Sequence, residues 1–368
     1  MTRVVVSMWG MLGLFGCGGN VEPAIDGSVA DAQGPGSARD GAAGVLPDHV
    51  RVTAHAVNLV NPEAAAQVEA FLAGGSDDGL AVAGRAFYEV FGDDYDFLYL
   101  VSENDVGPDA AAGRYRPVHH PAEPYLGLPS AFADPSFGSA GRLQGAIALN
   151  RNSVGNGPTL HETLHRWSVF LDGSFGFGVD RERNWGAHWG VSSVHGQHGG
   201  FDAATLACEG GGTLAACPVG AGGFARFTVA PFNPNQQGGD GVPYAPMELY
   251  LMGLLPIEEV PSPILVLRDA LPVDFGDPFV MEASGVREIT TAEIVALHGA
   301  RPPLPAEARA LRAAFVLVTR VPAPDAMLAV VEHWSAIFGG DEDSSFLLSF
   351  ADGTGGRATM DTRAPTPR

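Results

Sequence analysis

The sequence predicts an α+β fold in which a small twisted mixed sheet packs against the helix that carries an HExxH motif, and long loops join the elements. With 46% hydrophobic residues in 368, the chain can bury a substantial core. Short apolar runs typical of buried strands alternate with segments of helical periodicity. The 49 glycines and 28 prolines, beside only 17% charged residues, indicate many turns and long loops rather than a helical bundle.

The predicted elements follow in chain order. Strands are expected within residues 49–60 and at 96–101, 143–149 and 313–319, and helices at 62–72, 79–91 and 324–338. Residues 102–142 read as a long loop of the kind that faces substrate, and residues 351–368 as a weakly ordered tail. We therefore place one domain at residues 48–350.

The N terminus predicts export. One arginine precedes an apolar run at residues 4–16, which is too short to span a bilayer as a mature helix. The run ends in LFGC, which resembles the bacterial lipobox and predicts a signal peptide over residues 1–16 and lipidation of Cys17. An ordinary signal peptide with an incidental cysteine is the alternative.

Residues 17–47 follow as a flexible tether, because residues 18–44 lack aromatic residues and hydrophobic periodicity. We expect a monomer, lipid-anchored to the outer membrane of the bacterial cell envelope on its periplasmic or surface face. The formal charge of −21 argues against nucleic acid as a partner, since phosphates need neutralising cations.

Two further cysteines, Cys208 and Cys217, flank a Gly-Gly-Gly segment. In an exported protein two thiols this close predict a disulfide, and two free thiols are the alternative. No CxxC pair or neighbouring histidine pair accompanies them, which makes a zinc site there less favoured.

The segment PTLHETLHRWSVFL, residues 158–171, carries the HExxH spacing. His161 and His165 are four residues apart, so that on a helix both imidazoles project from one face and can bind one metal ion. Glu162 can reach a water bound to that ion. The alternative is two histidines on an ordinary amphipathic helix. Arg166 departs from the usual motif and is expected either to point out of the cleft or to pair with an acid.

A zinc hydrolase needs a third protein ligand and one open position for water. Position 171, where the metzincin pattern places its third ligand, is Leu171. Glu248, in MELYLMGL, and His188, in GAHWG, are the two candidates, and the precedent of a carboxylate from a later helix favours Glu248. Their alternatives are a carboxylate favoured by a helix N-terminus for Glu248 and a buried core histidine for His188.

Four other histidines receive no metal role. His195 and His198 lie in the loop-like VHGQHGG and are expected to face solvent rather than zinc. His119 and His120 belong to the long loop and are expected at the surface unless that loop folds over the cleft.

The succession YDFLYLV, LQGAIAL, HETLHRW, GAHWG and YAPMELYLMGLLPIEEVP resembles a group of exported bacterial HExxH zinc metallopeptidases, over about residues 90–340. The resemblance implies a zincin-like catalytic domain in a lipoprotein. A histidine-tryptophan segment and an acidic residue before LYLMGL recur in that group. It therefore implies that His188 and Glu248 matter, without saying which of them binds the metal.

These observations predict a Zn²⁺-dependent endopeptidase with a protein or peptide substrate and Glu162 as general base. Tyr244 and Tyr250, which flank Glu248, are candidate phenolic donors to the oxyanion, although either can be a packing residue. Two alternatives stay open. One is a catalytically inactive binding or adhesion lipoprotein on a zincin scaffold. The other is a structural zinc ion, for which a fourth protein ligand would take the place of water.

Overall fold

The computed structural model describes residues 46–107, 110–155, 157–220, 222–235 and 239–367. The predicted signal peptide, Cys17 and nearly all of the tether lie outside these residues. The helices are α1 (Pro62–Leu72), α2 (Leu80–Tyr88), α3 (Thr159–Leu164), α4 (Pro246–Leu251), α5 (Thr291–His298), α6 (Asp325–Gly339) and α7 (Phe350–Gly353).

The strands are short, apart from one of ten residues near the C terminus. They are β1 (Val50–Val52), β2 (Ala56–Val60), β3 (Phe97–Ser102), β4 (Gly113–Pro117), β5 (His119–His120), β6 (Phe132–Ala133), β7 (Gly145–Leu149), β8 (Gly200–Phe201), β9 (Ala207–Cys208), β10 (Ala225–Val229), β11 (Phe232–Asn233), β12 (Ile264–Arg268), β13 (Leu271–Asp274), β14 (Phe279–Ala283), β15 (Gly285–Ile289), β16 (Ala310–Thr319) and β17 (Thr359–Asp361).

A seven-stranded mixed sheet forms the centre of the molecule, with the order β1-β2-β16-β3-β7-β4 and with β17 beside β16. Strands β2, β16, β3 and β7 are parallel to their neighbours within this set, whereas β1 and β4 join the two ends antiparallel. The predicted mixed sheet is confirmed, but it is larger than expected. Its last two members, β16 and β17, come from the far end of the chain, and no local pattern predicts that pairing.

Both faces of this sheet are covered, which explains why its central strands are continuously apolar. Along β3, Leu98 and Leu100 pack against α1 and α2 on one face. Phe97, Tyr99 and Val101 point to the other face, where they join Leu160 and Leu164 of α3. The helix that carries the HExxH motif therefore lies directly on the sheet.

Helix α1 shows why the local prediction succeeded. Its N-cap Asn61 accepts a hydrogen bond from the Ala64 N–H at 3.0 Å, and Pro62 occupies the first helical position, where its missing N–H costs nothing. The helix covers the predicted residues 62–72. The predicted strands and helices elsewhere differ at their ends by a few residues, apart from residues 49–60, where a turn divides the predicted strand pattern into β1 and β2.

Two segments predicted to be irregular form strands. Residues 102–142 contain β4, β5 and β6, and β4 is an edge strand of the large sheet. The predicted weakly ordered tail supplies β17, which pairs in parallel with β16, and Met360 within it is buried. Pairing with a distant strand orders both segments, since neither has a clear period of its own.

A second, four-stranded sheet of order β13-β14-β10-β9 carries the disulfide. The sulfur atoms of Cys208 and Cys217 are bonded, as predicted. The bond fastens the edge strand β9 to the loop that follows it. Among the described residues, no helix is long and apolar enough to cross a membrane.

Candidate metal centre

Helix α3 is only six residues long and follows β7 after a short turn. The buried carboxylate of Asp240 holds its first turn, accepting the Leu160 N–H at 2.7 Å. Thr163 donates to the Thr159 carbonyl at 2.6 Å from within the helix. The helix ends at Leu164 and His165 is its C-cap, so that His161 and His165 lie one turn apart with ring centroids separated by 5.0 Å. The predicted ligand pair is thus brought together on one face.

Two more imidazoles complete a cluster of four. His188 and His198 join His161 and His165, and all six pairs of ring centroids lie 4.2–5.2 Å apart. One nitrogen each of His161, His165 and His198 lies within 4.8 Å of the other two, a spacing that can hold a metal ion. This cluster is the candidate metal centre.

Main-chain carbonyls fix the protons of two of these rings. His161 Nδ1 lies 2.7 Å from the Gln197 carbonyl, and His188 Nδ1 lies 2.6 Å from the Trp185 carbonyl. A carbonyl only accepts, so each Nδ1 carries the hydrogen and each Nε2 is left as an acceptor. These two Nε2 atoms face each other at 3.2 Å. Tetrahedral zinc with Zn–N bonds of about 2.0–2.1 Å would separate two ligand nitrogens by about 3.3–3.4 Å.

His198 presents the decisive atom. Its Nε2 lies 3.0 Å from the His161 carbonyl and donates to it, which leaves Nδ1 unprotonated. That Nδ1 is buried and has no hydrogen-bond partner in the part of the chain that the structure describes. One ring nitrogen of His165 is in turn engaged by the Ser168 backbone. The donor set therefore fits a metal ion that accepts neutral imidazole nitrogens, each oriented by an outer hydrogen bond.

Burial keeps these rings neutral, as metal ligation requires. Desolvation lowers the pKa of His161 to about 3, and His188 beside it acts in the same direction. Burial also lowers the pKa values of His165, His188 and His198. Unprotonated imidazoles that converge on one point offer lone pairs without having to release a proton first.

Glu162 lies beside the cluster in a cleft of about 650 Å³. Burial raises the pKa of its carboxyl to about 8, against the opposing effects of the Arg114 charge and a hydrogen bond from the Tyr115 backbone. His161, His165 and His188 line the same cleft, whose remaining walls include β4 and the β5–β6 hairpin. A carboxyl group with a pKa near neutrality, next to a candidate metal centre, suits proton transfer.

The predicted ligand Glu248 does not belong to the cluster. Its carboxylate is fully buried, and both oxygens accept N–H groups: the Trp189 indole, the backbone of Gln197 and His198, and the backbone of Ala245. With every lone-pair direction engaged, Glu248 is directed at the loop that carries His198. The structure thus differs from the favoured sequence prediction.

Neither of the predicted oxyanion donors, Tyr244 and Tyr250, lines the cleft that contains Glu162. The Tyr244 hydroxyl donates to the Leu160 carbonyl at 2.8 Å, and the Tyr250 hydroxyl accepts the Arg301 N–H at 3.0 Å. Both rings are buried in the main core. The packing alternative is the one that the structure supports for both residues.

His198 has no metal role in the sequence prediction, and the expectation that it faces solvent is wrong, because it is fully buried. The signal in the sequence is its glycine-rich surroundings, VHGQHGG, which permit close approach of the backbone. His195 is half-buried and outside the cluster. The long loop does fold over the cleft, and His120 is buried in the cleft wall while His119 is half-buried.

Arg166 pairs with an acid, which is one of the two arrangements predicted for it. Its guanidinium is buried and contacts Glu123 at 2.8 Å and the side chain of Gln144 at 2.8 Å. Arg301 binds the other oxygen of Glu123 at 3.3 Å. The departure from the usual motif therefore fastens the end of the HExxH segment to the loop above the cleft.

Comparisons with protein-family models, with curated proteins and with solved structures return no match to this chain. A functional conclusion must therefore come from the chemistry of the site.

Proposed function

We propose that this protein is a zinc-dependent endopeptidase with a zincin-like catalytic domain. The observation that carries the proposal is the buried Nδ1 of His198, which has no hydrogen-bond partner among the described residues. Its ring packs against both histidines of the HExxH motif, beside Glu162. A buried acceptor without a donor is unfavourable, and a metal ion shared with His161 and His165 relieves that cost.

His161, His165 and His198 would hold the ion, and His188 lies close enough to share it. When bound, zinc would supply Lewis acidity that polarises the scissile carbonyl and activates water. Glu162 accepts a proton at its carboxylate from the attacking water and returns it to the leaving amine. Its position in the open cleft, beside three of the four imidazoles, supports that role.

The cleft supports a peptide as substrate. Strand β4 forms one wall, and it is an edge strand with one side unpaired in the large sheet. Leu128, Phe132 and Phe170 add apolar surface to the cleft, which suits a substrate with a large apolar side chain.

We also propose export and lipid anchoring through Cys17, with the protein as a monomer at the cell envelope. The disulfide between Cys208 and Cys217 supports an oxidising compartment, since such bonds persist outside the reducing cytosol.

A structural metal ion is the second candidate function, and the fourth imidazole favours it. If His188 and His198 both ligate, four protein nitrogens close the coordination shell and leave no position for water. Glu162 then has no proton to transfer. An inactive binding lipoprotein would also show no peptidase turnover, but it requires no bound zinc.

Zinc analysis paired with a peptidase assay separates these functions. The full-length protein is expected to contain one zinc ion per chain and to cleave unstructured protein. Glu162→Gln should keep the zinc and lose at least about 100-fold in kcat, because a general base typically contributes 10²–10⁴-fold. His165→Ala should lose the zinc.

The zinc analysis and the peptidase assay together give a different result for each candidate function. One zinc with no turnover in the wild type would support the structural ion. Protein that neither contains nor binds zinc would overturn both metal proposals.

A further inference from the structure

Glu248 is a buried carboxylate whose four partners are all neutral N–H groups. Oε1 accepts the Trp189 indole N–H at 3.0 Å and the His198 backbone N–H at 2.8 Å. Oε2 accepts the Gln197 backbone N–H at 2.9 Å and the Ala245 backbone N–H at 2.8 Å. A carboxylate is acceptor-only, so this arrangement of four donors suits it and no amide of the same shape.

Two of those donors belong to one tight turn. Gly196 and Gly199 exchange backbone hydrogen bonds at 3.0 and 2.9 Å, which leaves Gln197 and His198 at the tip. A Cβ atom at position 196 would overlap the Glu248 carboxylate, so glycine permits the close approach. We call residues 196–199 the metal-side turn.

The metal-side turn sets two features of the candidate metal centre. The Gln197 carbonyl accepts the His161 Nδ1–H and so aims His161 Nε2 at the centre. The His198 ring supplies the unpartnered Nδ1. The third N–H donor, Trp189, directly follows His188 in the chain and also bonds the His198 carbonyl through its backbone N–H at 2.8 Å. Glu248 therefore contacts or adjoins the segments that orient three of the four imidazoles.

We infer that Glu248 is a positioning residue for the metal centre, which it serves by holding the metal-side turn rather than by binding the ion. The inference rests on the proposed function. It gives the acidic residue before LYLMGL a role that differs from the predicted one.

Replacement by glutamine tests the need for a carboxylate at constant shape. In Glu248→Gln, an NH₂ group would face two of the four N–H donors and push the turn away. We expect zinc affinity to fall about 10–100-fold, the usual cost of losing an outer partner of a metal ligand. Glu248→Asp keeps the charge but shortens the reach, and it should weaken zinc binding as well.

Two measurements report the effect without relying on activity. Competition with a chromophoric chelator gives the zinc Kd, and hydrogen exchange of the metal-free protein reports the amides of Gln197 and His198. Both amides should exchange faster in the Glu248 variants. Asp93→Asn is the matched control, because Asp93 also accepts backbone N–H groups, from Ala140 at 2.7 Å and Arg142 at 3.5 Å. Leu143, next in the chain, packs in the core on the sheet face opposite α3. Asp93→Asn should leave the Kd unchanged.

The results separate the two proposals. Unchanged zinc affinity and unchanged exchange in folded Glu248→Gln would overturn the positioning role. If that variant does not fold, Glu248→Asp is judged by the same two results. A wild-type protein that binds no zinc would instead overturn the proposed function. The hydrogen-exchange rates of the metal-free protein would still show whether Glu248 holds the metal-side turn.

Discussion

At the scale of single residues, the position of the Glu162 side chain depends on Gly113, which has no side chain of its own. A Cβ atom at Gly113 of strand β4 would lie 2.7 Å from Glu162 Cγ and 3.0 Å from its Oε1. Real Cβ atoms do not approach so closely, so alanine at this position would displace the carboxylate. The backbone conformation of Gly113 does not require glycine, and the close contact alone explains the residue.

Gly113→Ala should therefore reduce peptidase kcat by about 100-fold, because a displacement of about 1 Å can cost that much. The zinc Kd should stay within a factor of about three, since none of the four histidines moves, and the zinc titration checks this directly. Gly173→Ala is the control, as nothing lies within 4 Å of its added Cβ. Equal activity in the two variants would contradict the role of the contact.

At the scale of an element, α3 is too short to be stable by its own propensity and depends on distant groups. Asp240 provides the main one, because its carboxylate accepts the Leu160 N–H near the start of the helix. Burial raises the pKa of Asp240 to about 6 from the ordinary 3.8, while hydrogen bonds from Leu160 and Thr159 oppose the rise. Ionised Asp240 is thus unfavourable in the folded protein relative to the unfolded chain.

Because the pKa of Asp240 is raised by folding, the free energy of unfolding linked to this group decreases as the pH rises. The stability linked to protonated Asp240 is complete below pH 3.8 and is lost as the pH rises through about 6. In urea unfolding of the metal-free protein, the free energy of unfolding of the wild type relative to Asp240→Asn should therefore decrease as the pH rises from about 4 to about 7. A difference that does not change with pH would contradict the assignment.

At the scale of the whole molecule, one buried ion group joins three distant segments. Glu123, in the loop above the cleft, binds Arg166 at the end of the HExxH segment and Arg301 before β16. Its side chain is 8% exposed, and those of Arg166 and Arg301 are 4% and 1% exposed. Two buried guanidinium groups share this one carboxylate, so its loss leaves both charges poorly compensated.

Glu123→Gln should lower the free energy of unfolding by about 3–5 kcal/mol, the usual cost of breaking a buried ion pair. Equilibrium urea unfolding of the metal-free protein measures it. Glu209→Gln is the comparison, because Glu209 and Arg226 form a pair with side chains 38% and 48% exposed. That variant should lose less than about 1 kcal/mol. Similar losses in the free energy of unfolding of both variants would show that the buried ion group stabilises the fold no more than the exposed pair does.

Features that depend on neighbours along the chain were predictable from the local sequence. Helix α1 was predictable because Asn61 and Pro62 begin it, and the apolar runs of β3, β7 and β16 because a sheet covered on both faces needs continuous burial. The pairing of Cys208 with Cys217 followed from their closeness. His161 and His165 met on one face because a helix fixes the relation of residues four apart.

The groups that complete the site are set by tertiary packing and could not be predicted from local sequence. His198 lies in an irregular segment and Glu248 in α4, and their distances from α3 depend on how the intervening chain folds rather than on any sequence period. Their hydrogen bonds differ: four N–H donors saturate the Glu248 carboxylate, whereas His198 Nδ1 has no partner among the residues that the structure describes. A residue type can suit a metal in either case, but only its partners show whether its lone pairs are free.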